Sequence, residues 1–212
     1  MLAVIDYGSG NIRSVCKALV SVNAENVVVT SDPMLIGRAD KIVLPGVGAY
    51  AQCMAGLAQV EDLINALNQR VIAEGVPFLG ICVGMQLLAE RGIEFEITQG
   101  LGWIKGEVTK LEPKDKELKI PHMGWNTALP QNNEIFSSAW NNQAKDVYFV
   151  HSYAFRAAHQ SDIAAICQYG ADIFPAAIAK DNILGLQFHP EKSQKAGLQL
   201  LEAWLKPNNI TK

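Results

Sequence analysis

With 212 residues, 49% of them hydrophobic, the chain can bury a full core as one domain spanning residues 1–212. Its 18 Lys and Arg against 21 Asp and Glu leave a net charge of -3 with no basic run, which argues against a nucleic-acid partner. No transmembrane stretch is present and Asp6 interrupts the apolar start too early for a signal peptide, so the chain is expected in the cytoplasm, away from membranes.

Short apolar runs alternate with segments of helical periodicity, the pattern of an α/β protein. In chain order, strands are expected over residues 2–6, 27–30, 41–44 and 77–81, and helices near 11–21, 49–57, 62–74 and 84–89. That alternation predicts a central, mostly parallel sheet flanked by helices. From Gly100 to Gln187 the runs are richer in β-formers: residues 103–111, 147–151, 163–167, 176–179 and 183–187 read as an antiparallel extension of the same sheet. The charged stretch Glu112 to Lys119 reads as a solvated loop or hairpin. Ser193 is expected to cap a last helix reaching about Leu205, with Ala196, Leu200, Leu201, Trp204 and Leu205 spaced to face the core.

The fourth of these strands runs into Gly80-Ile81-Cys82-Val83-Gly84. A cysteine with glycines two positions to either side, between a strand and a helix, has the form of a nucleophile elbow, a turn too tight for bulky neighbours. Free N–H groups at the first turn of a helix there would favour the thiolate, the attacking form of the sulfur. A small buried cysteine is the commoner reading of any one cysteine, but it leaves both glycines without a reason. Cys16, Cys53 and Cys167 show no C-x-x-C pair or zinc spacing, so reduced thiols and no structural metal are expected.

A thiolate needs a base, and His189 follows the apolar run 183–188 at the end of another expected strand. Glu191, two residues on, can accept a hydrogen bond from the imidazole and fix its tautomer, completing a Cys82, His189, Glu191 triad. A third strand ends in Pro45-Gly46-Val47-Gly48, whose bare backbone can aim N–H groups at a ligand. Attack on an amide creates an oxyanion, which the Val83 N–H and a donor near Val47 and Gly48 would stabilise. Because ligands of open α/β sheets bind beyond the carboxyl ends of the strands, Pro45, Cys82 and His189 belong over one shared crevice.

With these motifs the chain resembles the class I (triad) glutamine amidotransferases, which carry a Pro-Gly-x-Gly oxyanion strand, Gly-x-Cys-x-Gly and His-Pro-Glu on a flavodoxin-like fold. More narrowly it is similar to the glutaminase subunits of imidazole glycerol phosphate synthase, enzymes of histidine biosynthesis. That likeness rests on Asp6-Tyr7-Gly8-Ser9-Gly10-Asn11, Pro45-Gly46-Val47-Gly48, Pro121-His122-Met123-Gly124-Trp125-Asn126 and Tyr148-Phe149-Val150-His151-Ser152-Tyr153. The resemblance implies L-glutamine as substrate, no cofactor, and a separate (βα)8-barrel cyclase subunit that receives the ammonia. It implies that Gly46, Gln86, Ser152 and Tyr153 hold the glutamine head group, and that Asn11, Met123, Trp125, Tyr148 and Lys192 belong to the partner interface. Two other readings stay open at this point. One is the glutaminase of another pathway, such as sugar amidation or pyridoxal-phosphate synthesis. The other is a non-catalytic flavodoxin-like binding module with a phosphate loop at Gly8-Ser9-Gly10-Asn11.

Overall fold

The structure, a computed structural model, describes residues 1–115 and 117–206. Near-continuous apolar runs form strands buried on both faces, as parallel sheets covered by helices require. The first half runs β1 (Leu2–Ile5), α1 (Ile12–Ser21), β2 (Val27–Thr30), α2 (Pro33–Ile36), β3 (Lys41–Gly46), α3 (Tyr50–Gln59), α4 (Leu63–Leu67), β4 (Phe78–Cys82) and α5 (Val83–Gln86). The second half runs β5 (Arg91–Glu94), β6 (Glu96–Gln99), β7 (Gly106–Lys110), β8 (His122–Pro130), α6 (Glu134–Trp140), β9 (Lys145–His151), β10 (Tyr153–Ala157), β11 (Ile163–Tyr169), β12 (Asp172–Lys180), β13 (Ile183–Leu186) and α7 (Gln194–Leu205).

Nine strands form the main sheet in the order β2-β1-β3-β4-β13-β12-β11-β8-β9. Pairing is parallel from β2 to β13 and antiparallel from β13 to β9, so β13 is where the direction changes. On one face α1 packs beside α7 and α7 beside α6; α2, α3 and α4 pack together elsewhere. The register sets Gly46 opposite Cys82 and Ile81 opposite Leu186, so the carboxyl ends of β3, β4 and β13 finish side by side.

Several local expectations change. Residues 103–111 do not extend the main sheet: β7 joins β10, β5 and β6 in a second, four-stranded sheet. Tertiary pairing, not the apolar run, chose its partner. Strands β5, β6, β8 and β10 and helix α6 lack long apolar runs and gave no clear periodic signal; β5 and β6 turn tightly at Phe95, whose φ is 60° and whose side chain is exposed. The helix expected over 62–74 is α4 followed by a π-helical stretch, Asn68–Ala73, and the one expected over 84–89 is a single turn. Ser193 sits at the N-cap position of α7 yet makes no cap hydrogen bond, because its hydroxyl is used elsewhere.

Candidate active site

Cys82 closes β4 with φ 54° and ψ -112°. That left-handed backbone costs a non-glycine residue roughly 1–3 kcal/mol and persists only where neighbours enforce it. The neighbours here are the two glycines. A Cβ on Gly80 would lie 2.6 Å from the Gly84 carbonyl oxygen, and one on Gly84 would overlap the Leu44 carbonyl. The chain can therefore fold back across β3 only with both side chains missing. The sulfur sits 3.9 Å from the Val150 carbonyl oxygen and 3.9 Å from the Gln187 amide nitrogen. With α5 reduced to four residues, the helix dipole expected to favour the thiolate contributes little.

His189 follows β13 in extended backbone, and its Nδ1 lies 2.8 Å from the Glu191 Oε1. Both side chains are buried. Burial opposes a charged imidazole, but the Cys82 sulfur and the Glu191 carboxylate together outweigh it and hold His189 up to about 9. Glu191 as acceptor puts the proton on Nδ1 of the neutral ring and leaves Nε2 as the lone pair. Nε2 is buried and has no nitrogen or oxygen partner among the described residues, the Cys82 sulfur being a neighbour that raises the ring's pKa. It is the ring atom left for proton transfer.

One cleft of about 250 Å³ is lined by Val47, Gly48, Cys82, Val83, Gln86, Glu94, Pro121, Val150, His151, Ser152, Tyr153 and His189. Thus eight of the residues singled out in the sequence meet in one place, with Glu191 behind His189 and Gly46 beneath the floor. Gly46 leaves room for the Tyr7 hydroxyl, which lies 2.8 Å from where a Cβ would be. The Val47 carbonyl accepts the Cys53 thiol hydrogen at 3.6 Å and is thereby turned toward α3. Gly48, at φ 109°, gives the strand end a conformation that side chains resist.

The Gly8–Asn11 turn does not resemble a phosphate loop in detail. The Gly8 N–H is taken by the Asp6 carboxylate at 3.2 Å, placing negative charge where an anion would bind. Among the described residues no helix is long and apolar enough to cross a membrane.

The family model "Glutamine amidotransferase class-I" matches residues 3–206. The chain belongs to the class-I glutamine amidotransferase family. Among curated relatives, "Imidazole glycerol phosphate synthase subunit HisH" of Zymomonas mobilis is 50% identical over 206 residues, covering 96% of this chain and 94% of the relative. The Caulobacter vibrioides protein of the same name is 49% identical over 210 residues, covering 96% and 97%. Solved structures share the fold at lower identity. "Structure of PurLQS from Thermotoga maritima" superposes with a TM-score of 0.72 at 20% identity, covering 96% of each chain. The Trypanosoma brucei CTPS glutaminase domain gives 0.67 at 17%, covering all of this chain and 96% of that one.

In this amidotransferase the structure adds two residues to the site: Glu94 in the cleft lining, and Gln187 buried behind Gln86 and Cys82. Glu94, at the end of β5, reaches the cleft and accepts the Tyr50 N–H at 2.8 Å. Gln187, fully buried, accepts the Gln86 amide at 3.0 Å while its own amide nitrogen faces the Cys82 sulfur. Glu94 lies on a strand with no sequence signal; Gln187 lies two residues before His189, a proximity that could have marked it. Gln86 is also changed by its contacts. Both of its amide hydrogens are committed, to the Tyr153 carbonyl at 2.8 Å and to Gln187, so only its Oε1 is left for a ligand.

The outer face of β8 and β9 carries the residues singled out as interface. Trp125 pairs with Tyr148 across the two strands, ring centroids 6.1 Å apart, and the Lys192 ammonium lies 5.7 Å from the Tyr148 ring. Met123 and Trp125, two residues apart on one face of β8, are 62% and 50% exposed. Asn11 heads α1, which packs against the turn bearing Lys192.

Proposed function

We propose that this chain is the glutaminase subunit of an imidazole glycerol phosphate synthase, working in the cytoplasm beside a (βα)8-barrel cyclase. The observation that carries the reading is Cys82 on a strained turn, sharing one cleft with a His189 whose Nε2 is unengaged and whose Nδ1 is held by Glu191. Relatives about half identical over nearly their whole length supply the pathway.

L-Glutamine enters with its side-chain amide toward Cys82. The Glu94 carboxylate suits the α-ammonium group, Gln86 Oε1 offers an acceptor beside it, and the backbone of Ser152 and Tyr153 runs along the α-carboxylate side. The Cys82 thiolate adds to the amide carbon, and the carbonyl electrons move onto oxygen. N–H groups at Val83 and in the Val47–Gly48 segment receive that charge; one such donor is worth about 3–4 kcal/mol of barrier. His189, as imidazolium, protonates the nitrogen, and the C–N bond breaks to release ammonia and leave a thioester. The now neutral His189 takes a proton from water, the hydroxide adds to the thioester, and C–S cleavage returns glutamate and the thiolate.

Ammonia is useful only where an acceptor waits. The cyclase subunit, docked on the Trp125, Tyr148 and Lys192 face, uses it to make imidazole glycerol phosphate and aminoimidazole carboxamide ribotide. The test is glutamine-dependent and ammonium-dependent product formation by the reconstituted complex. Cys82→Ala should lose the first and keep the second; glutamine hydrolysis by Cys82→Ala would overturn the assignment.

A further inference from the structure

His122 and His151 stand opposite each other across β8 and β9, buried, with no part in the chemistry above. Their hydrogen bonds can be assigned one by one. His151 Nδ1 lies 2.9 Å from the Tyr153 carbonyl oxygen, which can only accept, so Nδ1 carries the hydrogen. In the neutral ring Nε2 then holds a lone pair, and His122 Nδ1, 3.0 Å away, must donate to it. His122 Nε2 is left to accept, and the Asn126 amide nitrogen stands 3.2 Å from it. Asn126 agrees independently: its amide nitrogen also donates to the Gln168 carbonyl at 3.0 Å, and its Oδ1 accepts the Thr127 N–H at 2.8 Å. Either ring as imidazolium would set two N–H groups face to face. Burial pushes His122 down to about 4 and His151 to about 3, His151 being lowered further by the charges of His122 and His189. The His122 ring is stacked on Tyr169 at 4.1 Å and on Phe149 at 5.0 Å, so it has no room to turn.

This chain of bonds runs along the substrate cleft, whose wall His151 itself joins. The Tyr153 carbonyl accepts from His151 on one side and from Gln86 at 2.8 Å on the other; Gln86 in turn bonds Gln187 beside Cys82. We propose that His122 and His151 are positioning residues for glutamine binding, a neutral pair of fixed orientation that holds the Tyr153 carbonyl in place and, through it, aims Gln86 Oε1 into the cleft. This rests on the reading of that cleft as a glutamine site. Loss of the pair removes one of the two bonds on the Tyr153 carbonyl and loosens Gln86, while β10 stays paired with β7 and the His189–Glu191 bond is untouched. The effect therefore falls on glutamine affinity ahead of the bond-breaking steps.

The complex with the cyclase subunit is assayed for glutamine hydrolysis with wild type, His151→Leu and His151→Asn, the last keeping an N–H near the Nδ1 position. His151→Leu should raise KM for glutamine at least about tenfold while kcat changes less than about threefold, and His151→Asn should recover most of the loss. An unchanged KM in His151→Leu, a fall confined to kcat, or a His151→Asn as poor as His151→Leu would overturn the proposal. Nitrogen-15 NMR of the wild-type chain decides the same point even where a variant fails to fold. Both rings should appear as Nδ1–H tautomers that do not titrate across about pH 5–8. An Nε2–H tautomer or ordinary titration in either ring would overturn it. Wild type without glutaminase activity would count against the assigned function, and the NMR result would still judge the pair.

Discussion

His189 and Tyr148 are tied to each other twice: the His189 N–H donates to the Tyr148 carbonyl at 2.9 Å, and the Ser193 hydroxyl bridges the Tyr148 N–H at 2.9 Å and the His189 carbonyl at 2.6 Å. The proposed base is thus fastened to the edge strand that shows Tyr148 to the outside. Ser193 is fully buried, so its two partners have no water to turn to.

Ser193→Ala should therefore cost about 1–3 kcal/mol of stability, the penalty for stranding buried polar groups. Glutamine turnover should fall with it, because the His189 backbone loses one of its anchors. Chemical denaturation and a glutaminase assay on the same preparation check both.

In the proposed mechanism the imidazole at about 9 sets the alkaline limit of the reaction. His189 binds its proton more tightly in the folded chain than in the unfolded one, so this proton stabilises the fold fully below about pH 6.5. That contribution is lost as pH rises to about 9, and the acid needed to expel ammonia is lost with it. Glutamine turnover should decline on that limb. Glu191→Gln removes one of the groups that raise His189 and should move the limb to lower pH. A pH–rate profile of the two proteins, with an identical limb in both, would dismiss this role of Glu191.

Gly84→Ala drives a Cβ into the Leu44 carbonyl, backbone against backbone, with no side chain to move aside. We expect a loss of about 3 kcal/mol or more, or no soluble protein. Gly75→Ala, at φ 70° with open space around it, should cost only about 1 kcal/mol from backbone strain. Melting curves of the pair separate overlap from strain.

With the cyclase docked on this face as proposed, Trp125→Ala should weaken its binding by about 2 kcal/mol, the cost of truncating an aromatic anchor. Its side chain is half exposed in the free chain, so the melting temperature of the subunit alone should hardly change. Titration calorimetry with the cyclase subunit measures the first quantity and thermal unfolding the second.

The strands that end at the cleft were legible because each announces itself locally. An apolar run, then glycine, is enough to mark the ends of β3 and β4, and His189-Pro190-Glu191 follows a run of the same kind. The second sheet was not legible: β5 and β6 are short, polar and turned at Phe95, and β7 reads like any half-buried strand until its partner is known. Ser193 shows the same limit within one residue. Its position before α7 is a cap position by sequence, but a buried carbonyl and N–H nearby compete for the hydroxyl and win.

The sequence by itself pointed to the nucleophile, the base and the orienting acid proposed here, because a tight turn, a helix start and a two-residue spacing are properties of neighbouring residues. It determined the parallel core for the same reason, through runs of apolar side chains. Only the tertiary structure decided that both amide hydrogens of Gln86 are committed, that Glu94 reaches the cleft, that Gln187 faces the sulfur, and that His122 and His151 lock each other's tautomers. Those are contacts between residues far apart in the chain, and a hydrogen bond has no direction until both of its ends have been placed.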